Sequence, residues 1–489
     1  RKLLLARDPF GKKPLYVAQG AGWFAFASEL AALEQLPGLN TALDPEALAF
    51  YVLLQYVPAP WTIYRGVRKL QPGSCLEIDF SHARPTVREQ SFASFRPRSQ
   101  VLPRWPRSLD AQADCLKEIL VAAISKRLIS DVPLGAFLSG GVDSSLVVAL
   151  MRRELGVPVK TFSIGFAGAE DSEHIYARQT AAHLGTEHYD QVLDGRDLVQ
   201  IADIARMLDE PNGDSSCLPT YLLSRFARQH VTVALSGDGG DEMFGGYNRY
   251  KDTLLENASW KTHLARLVKQ RKWHTTADGY LSPRWLIHSP AQVEALLGGL
   301  PRAVREQLRE WRRGLNGWPM PAVHRMRRLD AATYLPGAVL AKVDRMSMRV
   351  GLEVRCPLLD RQVADFAEQL SPAACFQPPT HTKRILKHLA KRYLPEVWVQ
   401  RKKMGFGPPP HLWPREEMTA MARDLLLGPS SRLAGSVEPA ALREWVATQC
   451  RPDQFSIYQT WPLLILELWL RKSRARPARP RTVALRQAV

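Results

Sequence analysis

Two short stretches combine glycine, hydroxyl and carboxylate side chains at a spacing that can do chemistry. The first, AFLSGGVDSS, spans Ala136–Ser145, and the second, SGDGGDEMFGGY, spans Ser236–Tyr247. In the first, Ser139, Gly140 and Gly141 form a turn after an apolar run, and Ser144 opens an apolar helical pattern. Glycine lets the backbone approach a ligand closely. The free N–H groups and dipole at a helix start favour phosphate. A Walker A loop would carry a lysine that reaches the β and γ phosphates; here Asp143 stands in its place. A carboxylate beside phosphate calls for a divalent cation between them, so the loop points to Mg²⁺-bound pyrophosphate. The second stretch repeats the design, with Asp238, Asp241 and Glu242 after a Ser-Gly strand end at Ser236 and Gly237. Carboxylates of both loops could share one Mg²⁺. Taken singly, the first loop also reads as a capped glycine turn and the second as a plain acidic turn. Their recurrence is what favours a site.

The elements around them read as follows. Residues 1–95 are β-rich: KLLLARD and KPLYVAQ are short strands about a turn at Pro9–Gly11, and GWFAFASELAAL is a strand running into a helix. Residues 45–56 read as a helix, and a turn at Pro72-Gly73 leads to a strand ending at Ile78. Prolines and arginines without periodicity mark 96–108 as a linker. Beyond it a helix is expected over 109–128, from Leu116, Leu120, Ala123, Ile124 and Leu128 at helical spacing. Strands at 133–138, 159–166, 187–193 and 231–237 alternate with helices at 144–155, 173–184 and 219–229. That alternation predicts a doubly wound parallel sheet, α/β in class. Ligands bind such sheets beyond the strand carboxyl ends, where both loops fall. From about residue 250 the pattern is mainly helical, and the domain is expected to run over 109–472.

The chain has 489 residues, 23% charged and 45% hydrophobic, which excludes disorder or fibre over most of its length. Lys and Arg outnumber Asp and Glu by 66 to 48, a balance suited to polyanionic ligands but also to solvated helix faces. The tail 473–489 is basic and weakly patterned and reads as disordered. Six scattered cysteines without a CxxC pair fit free thiols in a reducing cytoplasm. WPLLILELWL (461–470) is short for a membrane span and contains Glu467, so a buried core helix is expected. His174, His183 and His188 read as surface or capping residues rather than a metal site.

At the two loops the chain resembles a known family. LSGGVDSS is similar to the pyrophosphate loop of the N-type ATP pyrophosphatases, and LSGDGGDEMFGGY to a signature of the asparagine synthetase family. Further similarity lies in LAKVDRMSMRVGLEVRCPLLD (340–360) and TKRILKHLAKRYLPEVWVQRKKMGFGPP (382–409). LLARDPFGKKPLY, FASELAAL and GVRKLQPG resemble part of that family's glutaminase domain. The resemblance implies a partial N-terminal-nucleophile glutaminase domain over 1–95. It also implies an ATP-dependent ligase that adenylates the aspartate side chain, releases pyrophosphate and transfers ammonia from glutamine.

By the same resemblance, Ser139, Gly140, Gly141, Asp143 and Ser144 hold pyrophosphate, and Asp143 and Asp241 share Mg²⁺. Leu138, Ile164, Ser236 and Gly237 line the adenosine pocket. Asp238 is tied to acyl-adenylate formation, and Lys383 offsets charge at the α-phosphate. Glu353 and Arg355 are weaker substrate or pocket-shaping candidates, with a buried structural ion pair as the alternative. An acidic Asp238 rather than tyrosine favours amide transfer over the related β-lactam synthetases. The family's glutaminase nucleophile is an N-terminal cysteine, whereas no cysteine precedes Cys75. The expectation is therefore a truncated chain that cannot hydrolyse glutamine, with exposed apolar surface and poor solubility. Expected partners are ATP, aspartate and ammonia or glutamine, with a homodimer open, no specific nucleic acid and no membrane span. Three readings compete: the same chemistry on another carboxylate such as a uronic acid, a tRNA-modifying enzyme, and an inactive scaffold.

Overall fold

A computed structural model describes residues 2–20, 22–81, 86–93, 106, 108–168, 173–194, 201–256, 277, 279–282, 285–317, 320–377, 381–401, 405–407, 412–451 and 456–474. Nearly all of the expected linker and tail lies outside these residues.

The N-terminal unit holds two antiparallel three-stranded sheets. In one, β5 (Ser74–Asp79) lies between β1 (Lys2–Ala6) and β6 (Thr86–Ser91); in the other, β2 (Tyr16–Gly20) lies between β3 (Trp23–Ala27) and β4 (Val67–Lys69). Leu4, Phe26, Phe80, Val87 and Phe92 are exposed here. A helix at Pro45–Leu54 starts where Asp44 Oδ1 accepts from Glu46 N at 2.8 Å and Ala47 N at 3.0 Å, with Pro45 in its first turn. Every residue from Ala47 to Leu54 is buried. A helix apolar all round must be covered all round, and residues distant in the chain supply much of that cover. Tyr51 Oη donates to Pro462 O at 2.7 Å, Leu53 O accepts from Ile287 N at 2.8 Å, and His288 Nδ1 meets Val52 O at 2.8 Å.

Residues 109–474 build on a five-stranded parallel sheet. Its strands are β7 (Leu134–Phe137), β8 (Lys160–Phe166), β9 (Glu187–Leu193), β10 (Val233–Leu235) and β11 (Glu353–Arg355), in the order β11-β10-β7-β8-β9. Helices cover both faces. On β8, Phe162 packs edge-on against Phe226 of the helix Cys217–Ala227, whereas Gly165, of opposite parity, abuts His174 of the helix Glu173–Leu184. The strand order reverses between β7 and β10, which opens a crevice at their carboxyl ends.

The helix at Val142–Arg153 begins two residues before the expected start, because Gly141 takes the cap position. The edge strand β11 was not expected: three residues carry too little pattern to be read as a strand. WPLLILELWL lies within the helix Ile457–Arg474, with Glu467 wholly buried. The Glu467 carboxylate accepts from Arg432 N at 3.0 Å, Leu433 N at 2.7 Å and Arg471 Nε at 2.6 Å, which explains a charge in an apolar helix. Among the described residues no helix is long and apolar enough to cross a membrane. All six cysteines are free thiols.

Candidate active site

A cavity of about 440 Å³ opens at the reversal point. It is lined by Leu138, Ser139, Gly140, Gly141, Asp143, Ser144, Ile164, Ser236, Gly237, Asp238, Asp241 and Lys383. The loop after β7 is closed by its own serines. Ser139 N donates to Ser144 Oγ at 3.1 Å, Gly141 N donates to Ser139 Oγ at 3.2 Å, and the two hydroxyls meet at 3.0 Å. The loop after β10 packs directly against it: a Cβ on Gly237 would stand 2.7 Å from Ser144 N. Only glycine permits that approach, so the two loops act as one wall.

Lys383 enters this wall from the far end of the chain. It is 3% exposed and adopts φ +52°, the left-handed region, immediately before the helix Arg384–Ala390. Its Nζ lies against Asp143 Oδ2 and 2.7 Å from Asp241 Oδ1. Burial pulls the ammonium pKa down, but the two carboxylates outweigh it and hold the lysine charged, above its ordinary value. One ammonium thus bridges carboxylates from both loops. That convergence fits a divalent cation, whose hard oxygen donors Asp143 and Asp241 would supply.

A second charged cluster forms the other end. Lys342 Nζ lies 3.1 Å from Asp214 Oδ2 and 2.6 Å from Ser216 Oγ, and all three residues line the cavity. Burial alone would raise the Asp214 pKa, but Lys342 and Ser216 bring it below the ordinary carboxylate value. Asp238 differs: burial pushes its pKa up, Lys342 offsets only part of this, and Ser236 Oγ donates to its Oδ2 at 2.8 Å. Glu242, 1% exposed, is pushed up to about 7 by burial and by Asp241, and accepts from Tyr247 Oη at 2.7 Å. A π-helical turn at Leu335–Val339 sets Tyr334 and Val339 into the lining and leads to Lys342 on the next helix.

Glu353 and Arg355 do not join this cavity. Arg355 Nε pairs with Glu353 Oε1 at 2.7 Å, and its Nη1 donates to Arg127 O at 2.8 Å and Ile129 O at 2.7 Å. They hold the end of the helix Leu109–Leu128 to the sheet edge. Glu353 is half-exposed, so the pair is structural without being buried. Of the three histidines, His174 is buried rather than at the surface and lies near enough to His188 to act on its charge, His188 meets Thr161 Oγ1 at 2.9 Å and Ser163 Oγ at 3.2 Å, and His183 meets Tyr393 O at 2.8 Å.

Reading the sequence did not single out Lys342, Asp214, Ser216, Tyr247 or Arg401 as site residues. Lys342 and Tyr247 stand inside stretches already notable, which was a usable signal. Asp214 and Ser216 had none, since their partner Lys342 lies more than a hundred residues away. Arg401 stacks 3.9 Å over the Tyr176 ring and reaches Gly140 O at 3.4 Å.

Residues 115–471 match the family model for asparagine synthase, and residues 1–90 match a glutamine amidotransferase domain. The chain is 30% identical over 488 residues to asparagine synthetase [glutamine-hydrolyzing] 1 of Bacillus subtilis, covering 95% of this chain and 74% of that protein. It is 33% identical over 493 residues to a Mycobacterium tuberculosis protein provisionally named a glutamine-hydrolysing asparagine synthetase, covering 96% and 74%. A more distant relative is amidase chry2 of Gibberella zeae, 24% identical over 531 residues, covering 93% and 73%.

Proposed function

The chain belongs to the asparagine synthase family of glutamine-dependent carbon–nitrogen ligases, and from that premise we propose that its cavity adenylates the side-chain carboxylate of aspartate and amidates it. A carboxylate oxygen attacks the α-phosphorus of ATP, the bond to the bridging oxygen breaks, and pyrophosphate leaves. Ammonia then attacks the activated carbonyl carbon, AMP departs, and the nitrogen sheds a proton to give the amide.

The observation that carries this reading is the meeting of Asp143, Asp241 and Lys383 at the sheet reversal. The departing pyrophosphate falls beside the loop Ser139–Ser144, where backbone N–H groups and the helix start favour an anion. Lys383, itself buried, offsets charge that builds at the α-phosphate. Asp143 and Asp241 would hold Mg²⁺, which neutralises phosphate charge when bound. Leu138 and Ile164 form an apolar floor for the adenine end. Lys342, held by Asp214 and Ser216, supplies the positive charge at the acceptor end, opposite Asp238.

The test is pyrophosphate release from ATP and Mg²⁺ with ammonium as nitrogen source, with and without aspartate. Release that depends on aspartate, with asparagine formed in equal amount, is expected. A folded, nucleotide-binding sample whose release ignores aspartate would overturn the choice of acceptor.

A further inference from the structure

A second cavity, of about 240 Å³, lies apart from the nucleotide site and shares no lining residue with it. Its walls are Met320, Pro321, Leu370 and Pro372 on the apolar side, and His324, Arg327, Arg328 and Glu368 on the charged side. Arg328 is 8% exposed, and its Nη2 meets Glu368 Oε2 at 3.2 Å. Arginine and carboxylate ordinarily pair through two parallel bonds; this pair is joined at one edge only. Arg328 Nη1 and Glu368 Oε1 are both buried and have no hydrogen-bond partner among the described residues. A buried guanidinium N–H without an acceptor is costly, and so is a buried carboxylate oxygen without a donor.

The neighbouring charges are committed elsewhere. Arg327 donates through Nε to Glu242 O at 2.9 Å and through Nη2 to Met243 O and to Ala367 O at 3.0 Å. Its Nη1 donates to His324 Nδ1 at 2.8 Å. Arginine has no acceptor, so His324 accepts at Nδ1 and carries its ring proton on Nε2. Arg328 and Glu368 therefore leave one cationic donor and one anionic acceptor unmatched behind the charged wall, beside a neutral imidazole. A simple anion would satisfy the first and be repelled by the second. A ligand with a carboxylate and an ammonium a few bonds apart satisfies both.

We propose that this cavity binds a small zwitterion of the α-amino-acid class, its carboxylate on Arg328 and its ammonium on Glu368. The volume is below that of typical drug-sized sites, in keeping with so small a ligand. Occupancy would also be felt at the nucleotide site, because Arg327, a wall of this cavity, clamps the carbonyls of Glu242 and Met243 beside Asp241.

The proposal needs no turnover and is independent of the reaction assigned above. Equilibrium dialysis of the full chain with L-asparagine, glycine and acetate is the test, repeated on Arg328→Gln and Glu368→Gln. Wild type is expected to bind one more equivalent of L-asparagine than either variant, to bind glycine at the same extra site, and to bind acetate roughly tenfold or more weaker there. L-Asparagine should also shift the half-saturation of a fluorescent ATP analogue by about threefold or more in wild type, and Glu368→Gln should abolish that shift. Equal stoichiometry in wild type and a folded Glu368→Gln, whose side chain is nearly isosteric, would overturn the site. Acetate binding as tightly as glycine would overturn the zwitterion assignment. An unchanged half-saturation in wild type would overturn the coupling.

Discussion

Gly246 offers a sharp test of how the wall is built. A Cβ added there would stand 1.9 Å from Lys383 Cε and 2.0 Å from Asp241 Oδ1, whereas ordinary contact begins near 3.4 Å. In Gly246→Ala the lysine tip must therefore retreat by about 1.5 Å, and the Asp241 carboxylate must give way by a similar distance. Its contact with Asp241, now 2.7 Å, would be lost, and the ammonium would leave the place proposed for it beside the α-phosphate. Misplacing a catalytic group by about 1 Å can cost on the order of 10²-fold in rate. The expected fall in kcat/KM for pyrophosphate release is thus about 10²-fold, or ~2.7 kcal/mol of transition-state stabilisation. Overpacking should cost about 1–3 kcal/mol of stability, which a thermal melt would register separately. The assay compares wild type, Gly246→Ala, Lys383→Met and the double variant. Because both changes act through one ammonium, the double variant should lose little more than Lys383→Met alone. A folded Gly246→Ala within about threefold of wild type would refute the reasoning, for the lysine would then be free to work from elsewhere.

Other expectations follow from the buried charges. Lys342→Met should raise the acceptor KM more than the ATP KM and cost about 3–5 kcal/mol, since it strands Asp214 without its cation; equal effects on both KM values would argue against an acceptor-side role. Glu467→Ala should cost a similar ~3–5 kcal/mol by chemical denaturation, because Arg432 N and Leu433 N lose their acceptor and Arg471 its partner. The His188 pKa is depressed, mainly by burial. Its stabilising contribution is complete above the unfolded value of about 6.5 and is lost as pH falls through the folded value. His188→Gln should therefore flatten the acid limb of the stability curve below about pH 6.5, and an unaltered limb would contradict that placement.

The fold is legible in the residues where local pattern and tertiary role coincide. The helix 173–184 and the strand 187–193 stand where alternation and period placed them, because half-buried elements write their geometry into side-chain order. Both loops were legible for a related reason: Ser-Gly after an apolar run, repeated, marks two strand ends of one sheet. Lys383 was not readable from its surroundings, since RILKHLAKR looks like any basic helix, and only the family resemblance singled it out. Lys342, Asp214 and Ser216 escaped because their meaning lies in a contact between distant segments. Glu353 and Arg355 misled in the opposite sense. They adjoin Cys356, whose Sγ reaches Ser236 Oγ at 3.5 Å, yet their own side chains turn to the sheet edge.

The all-round burial of the helix Pro45–Leu54 bears on how this molecule divides. Around it, further ties join the two units: Asp209 accepts from Leu30 N at 2.6 Å and Ala31 N at 2.9 Å, and Lys69 pairs with Glu210. Expressed as two separate polypeptides, one ending near residue 93 and the other beginning near 108, the halves should find one another and co-purify without a covalent tether. Neither half alone should give a sharp melt. Attempts to recover the nucleotide site as a free-standing module would instead meet an exposed apolar socket where that helix belongs.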